Sequence, residues 1–180
     1  VTSTGLKRSD PGRTKQGWEM LERNIGRIST LVKNLLAFSR GEAPKLASIE
    51  PADVVQEVYE LFKESAAQHG VELRLEAGAG IAPVVMDREG LHTSLANLVS
   101  NALDACLVSG SAPCTITLRV REHERTVMFE VTDSGCGMDY DVKQKVFTSF
   151  FSTKGAGGTG LGLLLTRKIV QQHGGSVTFE

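Results

Sequence analysis

The sequence predicts an α+β fold: a two-layer α/β sandwich, with a mixed sheet covered on one face by helices, preceded by a long helix of a dimeric four-helix bundle. Three observations predict it. Four short segments alternate apolar and polar residues, so each has one face to bury. Three helical segments around them carry an apolar side. Before them all, Trp18, Leu21, Ile25, Ile28, Val32 and Leu35 recur at spacings of 3, 4, 3, 4 and 3, a heptad seam. One domain plus an appendage accounts for 180 residues.

The seam belongs to a helix over about 15–40, with Glu22, Arg23, Asn24, Arg27 and Lys33 between its apolar positions. So narrow a stripe on so long a helix asks for a partner helix, either in its own domain or across a hairpin that dimerises. Ser9-Asp10-Pro11-Gly12 reads as a turn before it, and residues 1–8 as the tail of an earlier helix. Arg40 to Pro44 breaks the pattern and opens a linker. The division is therefore 1–42 helical hairpin, 43–50 linker and 51–180 globular domain.

In that domain Pro51 starts a helix that Gly70 ends, with Val54, Val58, Leu61 and Phe62 on one side. The alternating strands are Val71/Leu73/Leu75, Ile116/Leu118/Val120, Val127/Phe129/Val131 and Val177/Phe179, with a short run at Val84 to Met86. Further helices fall at about 88–108 and 160–173. In the first of them Leu91, Leu95, Leu98, Ala102 and Ala105 share a stripe.

Net charge is −1, a poor electrostatic match to nucleic acid. It conceals a split: nine Lys/Arg against five Asp/Glu in residues 1–50, and eleven against sixteen beyond. Cys106, Cys114 and Cys136 are an odd set without a CxxC, which argues against a disulfide framework or zinc site and for a reducing cytosol. No apolar run reaches the roughly 20 residues of a membrane span.

Three constellations carry chemistry. On the helix from Leu91, Asn97, Asn101 and Asp104 fall together beside the stripe, joined by Thr93, Ser94 and Ser100. A side without Lys or Glu suits a covered polar surface facing a ligand or metal. Directly after a strand, Asp133-Ser134-Gly135-Cys136-Gly137-Met138 sets an accepting carboxylate beside two glycines that let a flat ligand approach. Finally, five of the 19 glycines lie in residues 155–162, ahead of an apolar helix whose N-terminus suits phosphate. Gly155, Gly157 and Gly160 also spell GxGxxG, with Glu180 placed 20 residues after Gly160, as in a dinucleotide-binding oxidoreductase. Against that reading, no buried strand precedes the motif, and the strands alternate instead of being continuously apolar.

Together these pieces resemble the ATP-binding domain shared by sensor histidine kinases, gyrase, the ninety-kilodalton chaperones and mismatch-repair ATPases. The N box would be Asn97 to Ala105, the first G box Asp133 to Met138, the F box Val146 to Lys154 and the second G box Gly158 to Gly162. Asn24 to Arg40 resembles the second helix of a histidine kinase dimerisation hairpin, which the gyrase and chaperone branches lack. The Asn-Ala-Leu-Asp-Ala end of the N box and Phe-Phe-Ser-Thr-Lys are similar to the nitrogen-regulation branch.

The resemblance implies roles. Asn101 would hold Mg²⁺. Asp104 would line the nucleotide pocket. Asp133 would accept from the adenine amino group, with Gly135, Gly137 and Met138 beside the base. Gly158, Thr159, Gly160, Leu161 and Gly162 would offer phosphate-binding N–H groups. Residues 138–159 would form a mobile lid, anchored by Phe147, Phe150 and Phe151, with Lys154 reaching the γ-phosphate. Asn97 stands where hydrolysing relatives carry a Glu. An amide cannot take a proton from water, so transfer to another nucleophile is favoured over hydrolysis.

That nucleophile would be a histidine. His69 and His173 read as helix C-cappers, His92 sits in the N-box helix and His123 in a hairpin turn. None has an H-box context, so the phosphoacceptor is expected upstream of Val1, and this stretch alone should not autophosphorylate. The implied partners are a second copy through the hairpin helix and a response-regulator receiver domain. The implied location is the cytoplasm, with a membrane involved only if upstream regions anchor it. The rival within the resemblance is a non-catalytic ATP-binding scaffold that dimerises and docks partners.

Overall fold

The computed structural model describes residues 11–39, 43–78, 80–110, 113–148 and 160–179. Helix α1 (Pro11–Ser39) is followed by β1 (Leu46–Ile49), α2 (Pro51–Gln68), β2 (Val71–Ala77), β3 (Val84–Asp87), α3 (Arg88–Ser109), β4 (Cys114–His123), β5 (Thr126–Asp133), α4 (Tyr140–Lys145) and α5 (Gly162–Gln172). The expected α+β sandwich is what forms.

The principal sheet is mixed. β2 runs parallel to β4, and β4 antiparallel to β5. Alternation fixes which side of it is covered: Cys114, Ile116, Leu118 and Val120 of β4 are buried. Val54, Val55 and Val58 of α2 and Leu95 and Val99 of α3 pack with Leu118 and Val120 in one core. Each such side chain contributes roughly 1.5–3 kcal/mol on burial. The other side of the sheet is wet and charged. Arg119 bonds Glu76 across β2 at 2.7 Å, Arg121 bonds Glu130 across β5 at 2.8 Å, and Arg74 bonds Glu72.

Local chemistry sets the helix ends. Pro51 opens α2, its missing N–H costing nothing there. The Asp87 carboxylate accepts from Glu89 N and Gly90 N to start α3, and Gly110 in the left-handed region stops it.

Several expectations are corrected. The turn expected at 9–12 gives way at Pro11, where α1 already begins; residues 1–10 lie outside the described ones. Part of the segment read as linker is β1, which pairs antiparallel with β3 as a separate two-stranded sheet. Val177 and Phe179 alternate but join no ladder among the described residues, so they form no strand. The buried stripe of α3 is rotated toward Val99, Leu103 and Cys106, and Ser94 lies inside with it while Ser100 is exposed.

The cysteine reading is also corrected. Cys106 and Cys114 form a disulfide, which leaves Cys136 free and exposed. Sequence spacing carried no such signal. The end of α3 and the start of β4 bring the two Cα atoms to 5.8 Å, within bridging range.

Candidate functional site

The polar side of α3, the loop leaving β5 and the start of α5 converge. Asn97, Asn101 and Asp104 stand one turn apart on α3, and all three are half-buried. Asn97 Nδ2 donates to the Gly162 carbonyl at 3.3 Å, which joins the first and third constellations directly. A Cβ on Gly162 would lie 3.4 Å from Asn97 Cγ, so the Asn97 side chain packs directly on the Gly162 backbone. Leu161 beside it is 2% exposed and seats the start of α5 in the protein. Gly160 has φ +63°.

Asp133 ends β5, opposite Ile116. Its Oδ1 accepts from Gly135 N at 2.9 Å, closing a tight turn. Three bonds anchor this loop. Ser134 N donates to Thr115 O at 3.0 Å, Thr115 N donates to Ser134 Oγ at 2.9 Å, and Cys136 N donates to Ala105 O at 3.3 Å. Gly135 lies against α3 so closely that a Cβ there would stand 2.6 Å from the Ala105 carbonyl carbon. The glycine thus brings the loop onto the helix carrying Asn101. Gly137 turns at φ +66°, and Met138 is 39% exposed.

Beyond Met138, α4 is capped by Asp139, whose side chain accepts from Val142 N at 2.8 Å. The Phe147 ring stacks at 5.5 Å on Phe179 and under the Arg167 guanidinium at 5.3 Å. Phe150, Phe151, Lys154, Gly155, Gly157, Gly158 and Thr159 lie outside the described residues.

Among the described residues, no group of three or more His, Cys, Asp or Glu could hold a metal. The resolved pKa shifts belong to the sheet's outer face. The Arg121 hydrogen bond holds the Glu130 carboxyl below its ordinary value, and Arg74 does the same for Glu72.

The histidines divide. His69 Nδ1 lies 2.7 Å from Ser65 O, the capping geometry expected of it. His173 makes the same contact to Ile169 O at 2.7 Å, and its Nε2 also accepts from Asp87 N at 2.9 Å. The sequence reading missed this second bond. A histidine between an amphipathic helix and a Gly-Gly pair signals a cap, not a reach of 86 residues.

A family model described as histidine kinase-, DNA gyrase B- and HSP90-like ATPase matches residues 86–180. Sensor histidine kinase ZraS of Klebsiella oxytoca is 35% identical over 162 residues, 89% of this chain and 34% of that protein. Signal transduction histidine-protein kinase AtoS of Escherichia coli (strain K12) is 31% identical, over 86% of this chain and 25% of that one. The chain thus spans about a third or less of these relatives. Among solved structures, the catalytic domain of histidine kinase ThkA matches at TM-score 0.62 and 30% identity, over 71% of this chain and 80% of that one. ThkA in complex with response regulator protein TrrA matches at TM-score 0.73 and 26% identity, over 92% and 46%.

Proposed function

The chain belongs to the histidine kinase-, DNA gyrase B- and HSP90-like ATPase family, and from that premise we propose that it is the ATP-binding catalytic core of a two-component sensor histidine kinase. In this reading it moves the γ-phosphate of ATP to a histidine on the first helix of a dimerisation hairpin, and thence to a response-regulator aspartate. The observation that carries it is the Asn97–Gly162 bond, which joins the polar side of α3 to the start of the glycine-rich helix.

Each residue then has a task. Asp133 accepts from the adenine amino group, and Gly135, Gly137 and Met138 shape the slot beside it. Asn101 would hold Mg²⁺ through its amide oxygen, and Asp104 would line the nucleotide pocket beside it. Bound Mg²⁺ supplies charge that offsets the phosphates. Gly158, Thr159, Gly160, Leu161 and Gly162 would offer backbone N–H groups to the phosphates, and the α5 N-terminus adds its positive dipole end. Phe151 and Lys154, outside the described residues, would contribute the lid contacts that the resemblance implies. Asn97, committed to Gly162, positions the site and abstracts no proton, which favours transfer over hydrolysis.

Residues 1–42 are the end of the hairpin, 43–50 a connection to the globular layer, and 51–180 the ATP-binding domain. The exposed Trp18, Ile25 and Ile28 on α1 support pairing with a second copy. A receiver domain is the proposed phosphate acceptor, and the cytoplasm the proposed location. No helix among the described residues is long and apolar enough to cross a membrane.

A thermal-shift series tests the nucleotide reading. MgCl₂ with ADP at a hundredfold over Kd stabilises by about 2.7 kcal/mol, and Asn101→Ala and Asp133→Ala abolish the shift. A shift with NAD and none with ADP would sink it.

A further inference from the structure

Helices α3 and α5 run antiparallel, and polar ties close their seam at both ends. Gly90, Ser94 and Asn97 share one side of α3; Gly162, Thr166 and Ile169 share one side of α5. At the site end, Asn97 donates to Gly162 O. A Cβ on Gly90 would meet Ile169 Cγ2 at 3.1 Å, so the helices touch closely there. Ser94 and Thr166, at the levels between, are 3% and 1% exposed, and neither hydroxyl has a hydrogen-bond partner. These two hydroxyls therefore tie nothing across the middle of the seam. His173 closes the far end.

The bonds of His173 fix its chemistry. Asp87 N is a donor, so Nε2 must accept; Nδ1, facing the Ile169 carbonyl, must carry the proton. The ring is thus neutral and in one tautomer. Asp87 is also the N-cap of α3, its carboxylate bonded to Glu89 N and Gly90 N. One imidazole therefore joins the last turn of α5 to the first turn of α3.

We infer that His173 is a positioning residue for the nucleotide site: a neutral, Nδ1-protonated strut fixing the register in which Gly162 meets Asn97. The ten residues from Asp87 to Asn97 put strut and site about 15 Å apart. Helix capping accounts for the Nδ1 bond only. The Nε2 bond prevents α5 from sliding along α3, and sliding would carry the phosphate-facing N–H groups away from Asn101. This role rests on the nucleotide reading above.

Two variants and one spectrum test it. His173→Phe keeps a ring without donor or acceptor; His173→Gln keeps one of each. By calorimetry with ADP and MgCl₂, H173F should bind about tenfold more weakly than wild type and H173Q within about threefold, the scale of one lost hydrogen bond. Nitrogen-correlated NMR of the wild-type chain should show the Nδ1–H tautomer at His173. Wild-type affinity in H173F overturns the strut, including when only its urea midpoint falls. Should H173F not fold, the tautomer decides, and an Nε2–H ring overturns it. A wild-type chain that binds no ADP instead removes the nucleotide reading, and the role with it.

Discussion

Replacing Gly135 by alanine puts a methyl where α3 already stands. The added Cβ would lie 2.6 Å from the Ala105 carbonyl carbon and 2.8 Å from Ala105 Cβ and O. Carbon atoms rest at about 3.5 Å or more, so the overlap is close to an ångström. All three atoms are backbone or Cβ, and no rotamer change moves them. The loop must lift or the helix must shift. Lifting loses the bond from Cys136 N to Ala105 O and drags Asp133 with it. Overpacking of this kind costs about 1–3 kcal/mol, and the lost bond about 1 kcal/mol more. Gly137→Ala is the control. Its Cβ meets nothing within 4 Å, so only its φ of +66° costs, about 1–2 kcal/mol. Urea midpoints report stability and calorimetry with ADP and MgCl₂ reports the site. Gly135→Ala should lower both, with ADP affinity falling about two- to thirtyfold if a quarter to a half of those roughly 2–4 kcal/mol enters the bound state. Wild-type stability and affinity in Gly135→Ala would refute the close-approach argument.

Three further outcomes follow from the same geometry. The Cys106–Cys114 bridge closes a loop with sequence separation 8, so reduction should cost about 2.5 kcal/mol in a urea titration with and without dithiothreitol; three alkylatable thiols in the native, unreduced chain would contradict it. The β4–β5 hairpin turns through Glu124 at φ 47° and Arg125 at φ 65°, both side-chain-bearing, so Glu124→Asn with Arg125→Gly should raise stability by about 1–2 kcal/mol, and an unchanged midpoint would count against it. Glu130 is held below its ordinary 4.5 first by the Arg121 hydrogen bond, so its contribution is present above that value and fades as pH falls through the lowered folded value. Arg121→Ala should flatten the acid limb as pH falls below the ordinary 4.5 at low salt, and an identical limb would show that the pair adds nothing.

What the sequence made legible was whatever repeats locally. Ile116, Leu118 and Val120 alternate, and all three are buried. Asn97, Asn101, Asp133 and Gly162 stood out because each sits in a short motif whose chemistry is carried by residue type, and their nucleotide roles are the proposal above. Contacts between distant segments were not readable. Leu46 to Ile49 has three exposed residues and one buried, so nothing in it announces a strand; β1 exists because β3 pairs with it. Ser94 looks like a member of the polar side of α3, yet it lies in the seam with α5 and is buried. The Val177/Phe179 alternation was real but found no ladder partner among the described residues. The disulfide and the Nε2 bond of His173 depend on where chain ends of helices meet, which periodicity does not encode.

The 29 residues of α1 extend about 44 Å. Trp18 is 68% exposed, Ile25 66% and Ile28 61%. A helix of this kind gains little of its stability from propensity, and α1 touches the sandwich at α5. With α1 paired to a second copy as proposed above, its melting should depend on protein concentration, moving with each dilution, while the sandwich melts at a fixed point because its core is internal. A single melting temperature would merge two quantities, one first-order in chains and one second-order. Far-ultraviolet melts over a dilution series would separate them.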